Sequence, residues 1–550
     1  MKSLIKYLFI LSVFSGLLQS CSKSLESEPL ERLTDEEVFD PGDKNGDYAK
    51  QFLNGIYLLL PGGNNRVGGD FLDAGTDDAL PSRTGTSVDF FRNGGISPSN
   101  VIDNTWSSNY TGIRRVNMFL SKIDIVPIDA TLKEEFKGEA RFLRAYFYFE
   151  LVKRYGGVPL VGDKIFSLND NVSLPRNSLD DCFNYILSEL DASRPLLLDA
   201  NVSNLNWARA SKGANLALKS RVLLYRASPL FNPGNDSQKW LDARDAAREV
   251  IDLGIYNLVS DYVKLFLDNK NDEMIFIKEA AQSQNIETSN GPIGYLVGNG
   301  YTSPSQGLVD AFLMNNGKGI SEDGSGYDPS NPYLNRDSRF YATILYNGKT
   351  WLNRPVETFN GGLDRPGGAK VQTKTGYYLR KFMGKFENSN SYSNQNHHIM
   401  LFRYAEILLN YAEAENEING PGDQTSPVYT SLIAIRKRAG VSAGSDGLYG
   451  LPTGIDKDSM RIIIQNERRI EMAFEEQRFW DIRRWKIAEV VMNQPVKGVN
   501  ITVDNNGVST YNYFDASPSV FDASKMYWFP IPFTEERANP NLTQNPGWSY

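Results

Sequence analysis

Two histidines and two cysteines are all that this chain of 550 residues offers among the side chains that most often hold metals or attack carbonyls. His397 and His398 are adjacent, so on a helix or a strand they point apart and make a poor chelating pair. No two histidines stand one helical turn apart, as a zinc-hydrolase helix requires. A Ser/His/Asp triad would have to recruit one of these two, and neither lies near a nucleophile-elbow pattern. Cys182 falls inside a helical pattern and reads as a small buried hydrophobe. So low a cysteine count excludes a disulfide framework and a Cys-rich zinc site. Carboxylates are abundant, 66 in all, so some pair stands at glycosidase spacing by chance, which keeps a surface glycoside hydrolase open as a competing reading.

The richer chemistry is aromatic. With 28 Tyr, 29 Phe and 8 Trp, 12% of the chain, there is more flat amphipathic surface than core filling needs, for packing between large helices or for stacking a ligand. An aromatic on the apolar stripe of a helix belongs to the core. In a Gly/Asn/Ser-rich loop there is no stripe to bury it. Two such regions stand out. The segment FLDAGTDDALPSRTGTSVDFFRNGG carries Asp77, Asp78, Arg83 and Phe91, and the stretch after residue 259 carries Tyr301, Tyr327 and Tyr333 among Gly, Asn and Ser. Sugars present apolar C–H faces and polar rims, so their sites combine a ring with Asn, Asp, Arg or Gln at its edge. We expect these loops to converge on one face, with Tyr301 or Tyr327 as a stacking platform and Asp77, Asp78 and Arg83 as edge partners. No catalytic residue and no cofactor is expected; a structural calcium is left open.

Lys plus Arg number 58 against 66 Asp plus Glu, a net charge of −8, with no basic stripe. That excludes the electrostatic footprint of a nucleic-acid binder. The N-terminus reads as an address: Lys2 and Lys6, the apolar run LFILSVFSGLL, then LQSC ending at Cys21. The run is too short to span a membrane comfortably, so residues 1–20 are expected to be a cleaved export signal. LQSC resembles the bacterial lipobox, which makes Cys21 the lipidated first residue of the mature chain; a secretory signal with an incidental cysteine is the competing reading. Acyl chains contribute about 0.8 kcal/mol per buried CH₂, so a multiply acylated cysteine is a stable anchor. Residues 21–36, polar and acidic, are expected to form a tether.

Helical periodicity positions the rest. In TLKEEFKGEARFLRAYFYFELVKRYGGVPL, Phe136, Ala140, Leu143, Phe147 and Leu151 recur at three- and four-residue steps until Gly156, Gly157 and Pro159 stop the helix. Arg141, Arg144 and Lys153 lie off that stripe, on a solvated or ion-paired face. Ser178 and Asp181 resemble a capping box opening NSLDDCFNYILSEL. ASKGANLALKSRVLLYRASPL and KWLDARDAAREVIDLGIYNL, with interior Ala and a Pro/Gly/Asn turn between them, look like a helix pair of the tetratricopeptide class. Helices return in HIMLFRYAEILLNYAEAENEI, YTSLIAIRKRAG and DSMRIIIQNERRIEMAFEEQRFWDIRRWK. Within these, Glu475 with Arg478, Asp481 with Arg484 and Arg403 with Glu406 are expected to pair at i,i+3. Residues 37–550 are read as one domain: a helical scaffold over 37–258 and 399–490, an irregular insertion with short strands over 259–398, and a coil-rich tail over 491–550.

Together these segments resemble the SusD/RagB family of surface nutrient-binding lipoproteins. The resemblance is carried by RAYFYFELVKRYGGVPL, ALKSRVLLYRASPLFNP, RDSRFYATILYNGKTW, LFRYAEILLNYAEAENE, NERRIEMAFEEQRFWDIRRWK and FPIPFTEERANPNLTQNPGW. WSSNYTGIRRVNMFL, with Trp106, Tyr110, Ile113 and Asn117, is similar as well. Trp106 and Trp351 belong to these motifs, which favours packing over ligand contact for both. Gly157 stands where the family has Asp, and Glu476 where it has Gly. The resemblance implies a mainly α fold of four tetratricopeptide-like helix pairs with a loop-rich region against it. It also implies a protein anchored by lipid at the cell surface of the outer membrane, binding oligosaccharide and handing it to a SusC-like TonB-dependent barrel transporter. A peptide cargo is the alternative within the family; an adhesin or purely structural subunit is a third reading.

Overall fold

The computed structural model describes residues 39–167, 169–199, 207–369 and 371–549. The expected signal peptide, the acidic tether of residues 21–36 and Cys21 lie outside the described residues. The chain is mainly α and its scaffold is built of tetratricopeptide-like helix pairs. These are α1 (Asp47–Tyr57), α2 (Trp106–Lys122), α3 (Ala130–Tyr155), α4 (Leu179–Ser193), α5 (Lys212–Ala227), α6 (Ser237–Ile251), α7 (Tyr404–Asn419), α8 (Pro427–Arg438), α9 (Lys457–Glu471) and α10 (Gln477–Arg484).

Local chemistry explains the boundaries. Asp129 caps α3 by accepting from the Thr131 amide at 2.8 Å, and Gly156, at φ 75°, ends it. The Ser178 hydroxyl caps α4, accepting from the Asp181 amide at 3.1 Å and donating to the Asp181 carboxylate at 2.6 Å. The apolar stripe of α3 is buried as its spacing demands, and so are Arg144 and Arg154, because this helix has neighbours on every side. Arg144 pairs with Glu189 at 2.8 Å and Lys153 with Glu150 at 2.6 Å. α2 lies against α3 so closely that a Cβ on Gly112 would stand 2.5 Å from the Phe147 ring. α5, α6 and α7 meet through Ala227, Ala243, Ala246 and Ala414, the small side chains that let helix axes approach.

Three expectations are corrected. The run from Asp458 to Lys486 is two helices: α9 and α10 are separated at Met472–Glu476, where Phe474 and Glu476 each adopt φ 62°. The tail is not coil-rich throughout, since β5 (Val496–Val503) and β6 (Ser509–Ser517) form an antiparallel hairpin, followed by a short helix, Phe533–Ala538. Of the expected charge pairs, only Asp481–Arg484 forms, at 2.8 Å. Arg403 ends a strand and its guanidinium reaches Glu273, Glu471 and Glu475, each at 2.7 Å. Glu406 pairs instead with Arg221 at 2.5 Å, and Arg478 with Asp77.

The insertion holds short strands, as expected. β1 (Ala79–Pro81) pairs antiparallel with β3 (Thr302–Pro304), and β2 (Met274–Lys278) with β4 (Ile399–Arg403). A buried charge network fastens the insertion to the scaffold. Arg339 binds Asp337, Glu467 and Glu471 at 2.6–2.9 Å. Lys381 binds Glu475 at 2.6 Å, Arg436 binds Glu467 at 2.8 Å, and Arg438 binds Glu273 at 3.1 Å. With Arg403 this makes five cations against five carboxylates, none of them more than 5% exposed. A buried charge is tolerated only when paired and hydrogen-bonded, and here each one is.

Candidate functional site

The β1–β3 pairing brings the two candidate loops together. Across it the Ser82 amide donates to the Tyr301 carbonyl at 2.7 Å, and the Ser305 amide and hydroxyl donate to the carbonyls of Asp78 and Asp77 at 2.8 and 2.7 Å. Arg83 and Tyr301 therefore meet at one end of the ladder, and Asp77 and Asp78 stand at the other.

At the first end the Arg83 guanidinium carbon sits 4.0 Å from the centre of the half-buried Tyr301 ring. Stacking of this kind contributes about 0.5–2 kcal/mol, according to its solvent exposure. Arg83 is held from behind by the carboxylate of Asp70 at 2.9 Å and the carbonyl of Gly68 at 3.3 Å. Burial pushes the Asp70 carboxyl up, against the pull of Arg83. The Lys374 ammonium donates to the Arg83 carbonyl at 3.0 Å and has no ion-pair partner among the described residues; burial lowers its pKa. The result is a half-buried phenol ring stacked on a guanidinium, with an ammonium held at the carbonyl of that same arginine, an aromatic surface beside charged donors.

The other expected site residues are placed differently. Asp77 accepts from Arg478 at 2.8 Å and from Arg469 at 3.0 Å, and Asp78 from Arg469 at 2.6 Å. Both carboxylates are thus spent tying the loop to α9 and α10. Burial raises Asp77, but the two guanidiniums more than offset it and hold it well below the usual carboxylate range. Asp78, 1% exposed, is pushed up by burial and by the charge of Asp77. Phe91 has no exposed surface, its ring lying 4.7 Å from that of Phe479 and 5.6 Å from that of Phe529. It offers no face to a ligand. Tyr333 is packed among Tyr346, Phe340, Tyr377 and Tyr511, 7% exposed. Tyr327 is half-buried; burial, with Tyr327 close by, raises the pKa of Tyr513, which is 48% exposed. Trp351 and Trp106 are packing residues, 0% and 4% exposed.

Sequence reasoning missed Lys374 and Tyr513. For Tyr513 a signal existed in the period-two alternation of STYNYF, a strand pattern in a stretch read as coil. For Lys374 there was none, because its partner is a backbone carbonyl 291 positions away. His397 faces Glu287 at 3.2 Å and His398 faces Asn269 at 3.2 Å, so the adjacent pair does diverge. Burial pushes the Cys182 thiol up to about 11, against the downward pull of the hydrogen bond from the Val158 amide, leaving an inert buried sulfhydryl.

Comparison with known proteins identifies relatives along nearly the whole chain. Residues 272–548 match a family model described as the SusD family, and residues 76–224 one described as starch-binding associating with outer membrane. A SusD-like protein, P2, of Formosa agariphila is 24% identical over 562 aligned residues, covering 99% of this chain and 100% of the relative. Among solved structures, a SusD-like protein of Bacteroides fragilis is 28% identical with TM-score 0.78, covering 94% of this chain and 98% of its own. A SusD-like carbohydrate-binding protein from the same species matches in fold with TM-score 0.76 at 23% identity, over 92% of this chain and 100% of its own.

Proposed function

We propose, since this chain belongs to the SusD family, that it is a glycan-binding lipoprotein of the bacterial cell surface which captures an oligosaccharide and delivers it to a TonB-dependent outer-membrane transporter. The observation that carries the reading is the Arg83–Tyr301 pair: a half-buried ring stacked on a guanidinium, on a face built from the loops rather than the helices. The region matching the starch-binding description spans Arg83 and the β1 strand that fixes it, and a relative of the same fold carries the description carbohydrate-binding. The role is binding without turnover. Asp77 and Asp78, adjacent carboxylates at the other end of the same ladder, are each held by arginine, which leaves neither free to move a proton.

The test is calorimetry on the full chain with its best-binding oligosaccharide. Tyr301→Ala is expected to lose about 1–1.5 kcal/mol of stacking, about five- to twelvefold in affinity, in a variant that stays folded and loses from its stability only the Arg83 contact, about 0.5–2 kcal/mol. Equal binding by variant and parent would place the site elsewhere.

A further inference from the structure

A second concave surface lies where α1, residues 207–209 and the end of β2 meet. It is a cleft of about 450 Å³, within the range of small-molecule sites, and it shares no lining residue with the Arg83–Tyr301 face. Its floor is apolar, formed by Leu60 and Ile277, and its walls carry the half-buried rings of Trp207 and Tyr57. The walls are fixed in advance. The Lys278 ammonium donates to the carbonyls of Leu58 and Leu60 at 3.0 and 2.6 Å, and the Tyr57 hydroxyl donates to Glu139 at 2.5 Å while accepting from the Ala210 amide at 2.9 Å. Arg209 is bound to Glu139 at 2.7 Å and to the Asn54 side-chain carbonyl at 2.5 Å.

Three polar groups on the rim are left over. Among the described residues the ammonium of Lys50 and the carboxylate of Glu279 have no ion-pair partner, and the Asn54 amide nitrogen donates to nothing; all three side chains are exposed. An indole over an apolar floor, with an uncommitted ammonium, carboxylate and amide around it, suits a ligand that has C–H faces and carries donors and acceptors on every edge. A purely apolar ligand would leave that rim without purpose, and a macromolecule does not fit the volume. We propose that this cleft is a second sugar-binding subsite, in which Trp207 stacks on one pyranose ring while Lys50, Asn54 and Glu279 bond its hydroxyls. The inference rests on the glycan-binding reading above.

The experiment uses the full chain in detergent, with maltohexaose, laminarihexaose, cellohexaose, xylohexaose and tetragalacturonate as probes in calorimetry. The tightest binder is then titrated into Trp207→Ala, Tyr301→Ala and the double variant. Expected is a five- to twelvefold loss from Trp207→Ala in the parent, and loss of the residual binding of Tyr301→Ala in the double variant. Should Trp207→Ala unfold, the exposed Lys50→Ala and Glu279→Ala variants are expected to weaken binding in its place. Binding unchanged by Trp207→Ala, or by both rim variants where that one unfolds, in parent and Tyr301→Ala backgrounds alike, overturns the subsite. Binding unchanged by Tyr301→Ala but weakened by Trp207→Ala overturns the Arg83–Tyr301 site and upholds the cleft. No binding of any probe by the parent overturns both.

Discussion

Glu476 occupies a left-handed backbone position, φ 62°, and a side chain there costs about 1–2 kcal/mol. Its carboxylate offsets that cost by gripping Arg66 with two bonds, at 2.6 and 2.7 Å. Arg66 in turn contacts Asp103, which also holds Arg154 at 2.6 Å. Burial raises the Asp103 carboxyl, yet the guanidiniums of Arg154 and Arg66 bring it down to about 2. Glu476→Gly and Glu476→Ala lose the same bonds to Arg66, and only the second retains a side chain at positive φ. Urea unfolding is expected to find the alanine variant less stable than the glycine variant by about 1 kcal/mol; equal midpoints would mean that backbone strain plays no part. At this scale sequence reading was uneven. Tyr301 and Arg83 were legible because a loop supplies no apolar stripe to hide them. Phe91 and Tyr333 were not, because rings that cover them, Phe479 and Phe529 or Tyr377 and Tyr511, come from distant segments.

Among elements, the short β1–β3 ladder is anchored at one end by the grip of Arg469 and Arg478 on Asp77 and Asp78. Removing both carboxylates leaves two largely buried guanidiniums unpaired, so Asp77→Ala with Asp78→Ala is expected to destabilise the fold by about 3–5 kcal/mol. A variant with an unchanged unfolding midpoint would show that the pairs contribute nothing to holding this loop. The contrast with Tyr301→Ala, which costs stability only the Arg83 stacking of about 0.5–2 kcal/mol, separates scaffold from ligand contact. The helices were legible from their 3.6-residue period because each buries a stripe against a neighbour. The break between α9 and α10 was not. Its residues look like one amphipathic run, and the carboxylates of Glu471 and Glu475 choose partners 33 to 132 positions away, not the i,i+3 neighbours that a straight helix would offer.

For the whole molecule, membership of the family and the mainly α fold were legible end to end, since several long motifs in order constrain a chain more than any single one. Attachment to the outer membrane remains a proposal resting on LQSC. Cys21→Ala is expected to move the protein from the outer-membrane fraction to the soluble fraction and to end its co-purification with a barrel transporter in mild detergent; sedimentation unchanged by the substitution would rule out the lipid anchor. The ion pairs that close the fold also govern when it can form. Arg66 meets Glu476 across 410 positions, Asp77 meets Arg478 across 401 and Asp78 meets Arg469 across 391. Closing a loop of this length costs about 5 kcal/mol in chain entropy before any contact offsets it. β1 can pair with β3 once residue 304 is made, but Arg66 lacks Glu476, and Asp77 and Asp78 lack their arginines, until nearly the last helix has been made, so a chain emerging from its N-terminus waits for its far end to fix this loop. A chain stopped at residue 456 should be cut by protease between residues 67 and 91, where the full chain resists. Resistance in the truncated chain would show that this loop folds on its own, and in an exported protein the delay would keep the segment pliable until passage across the membrane is over.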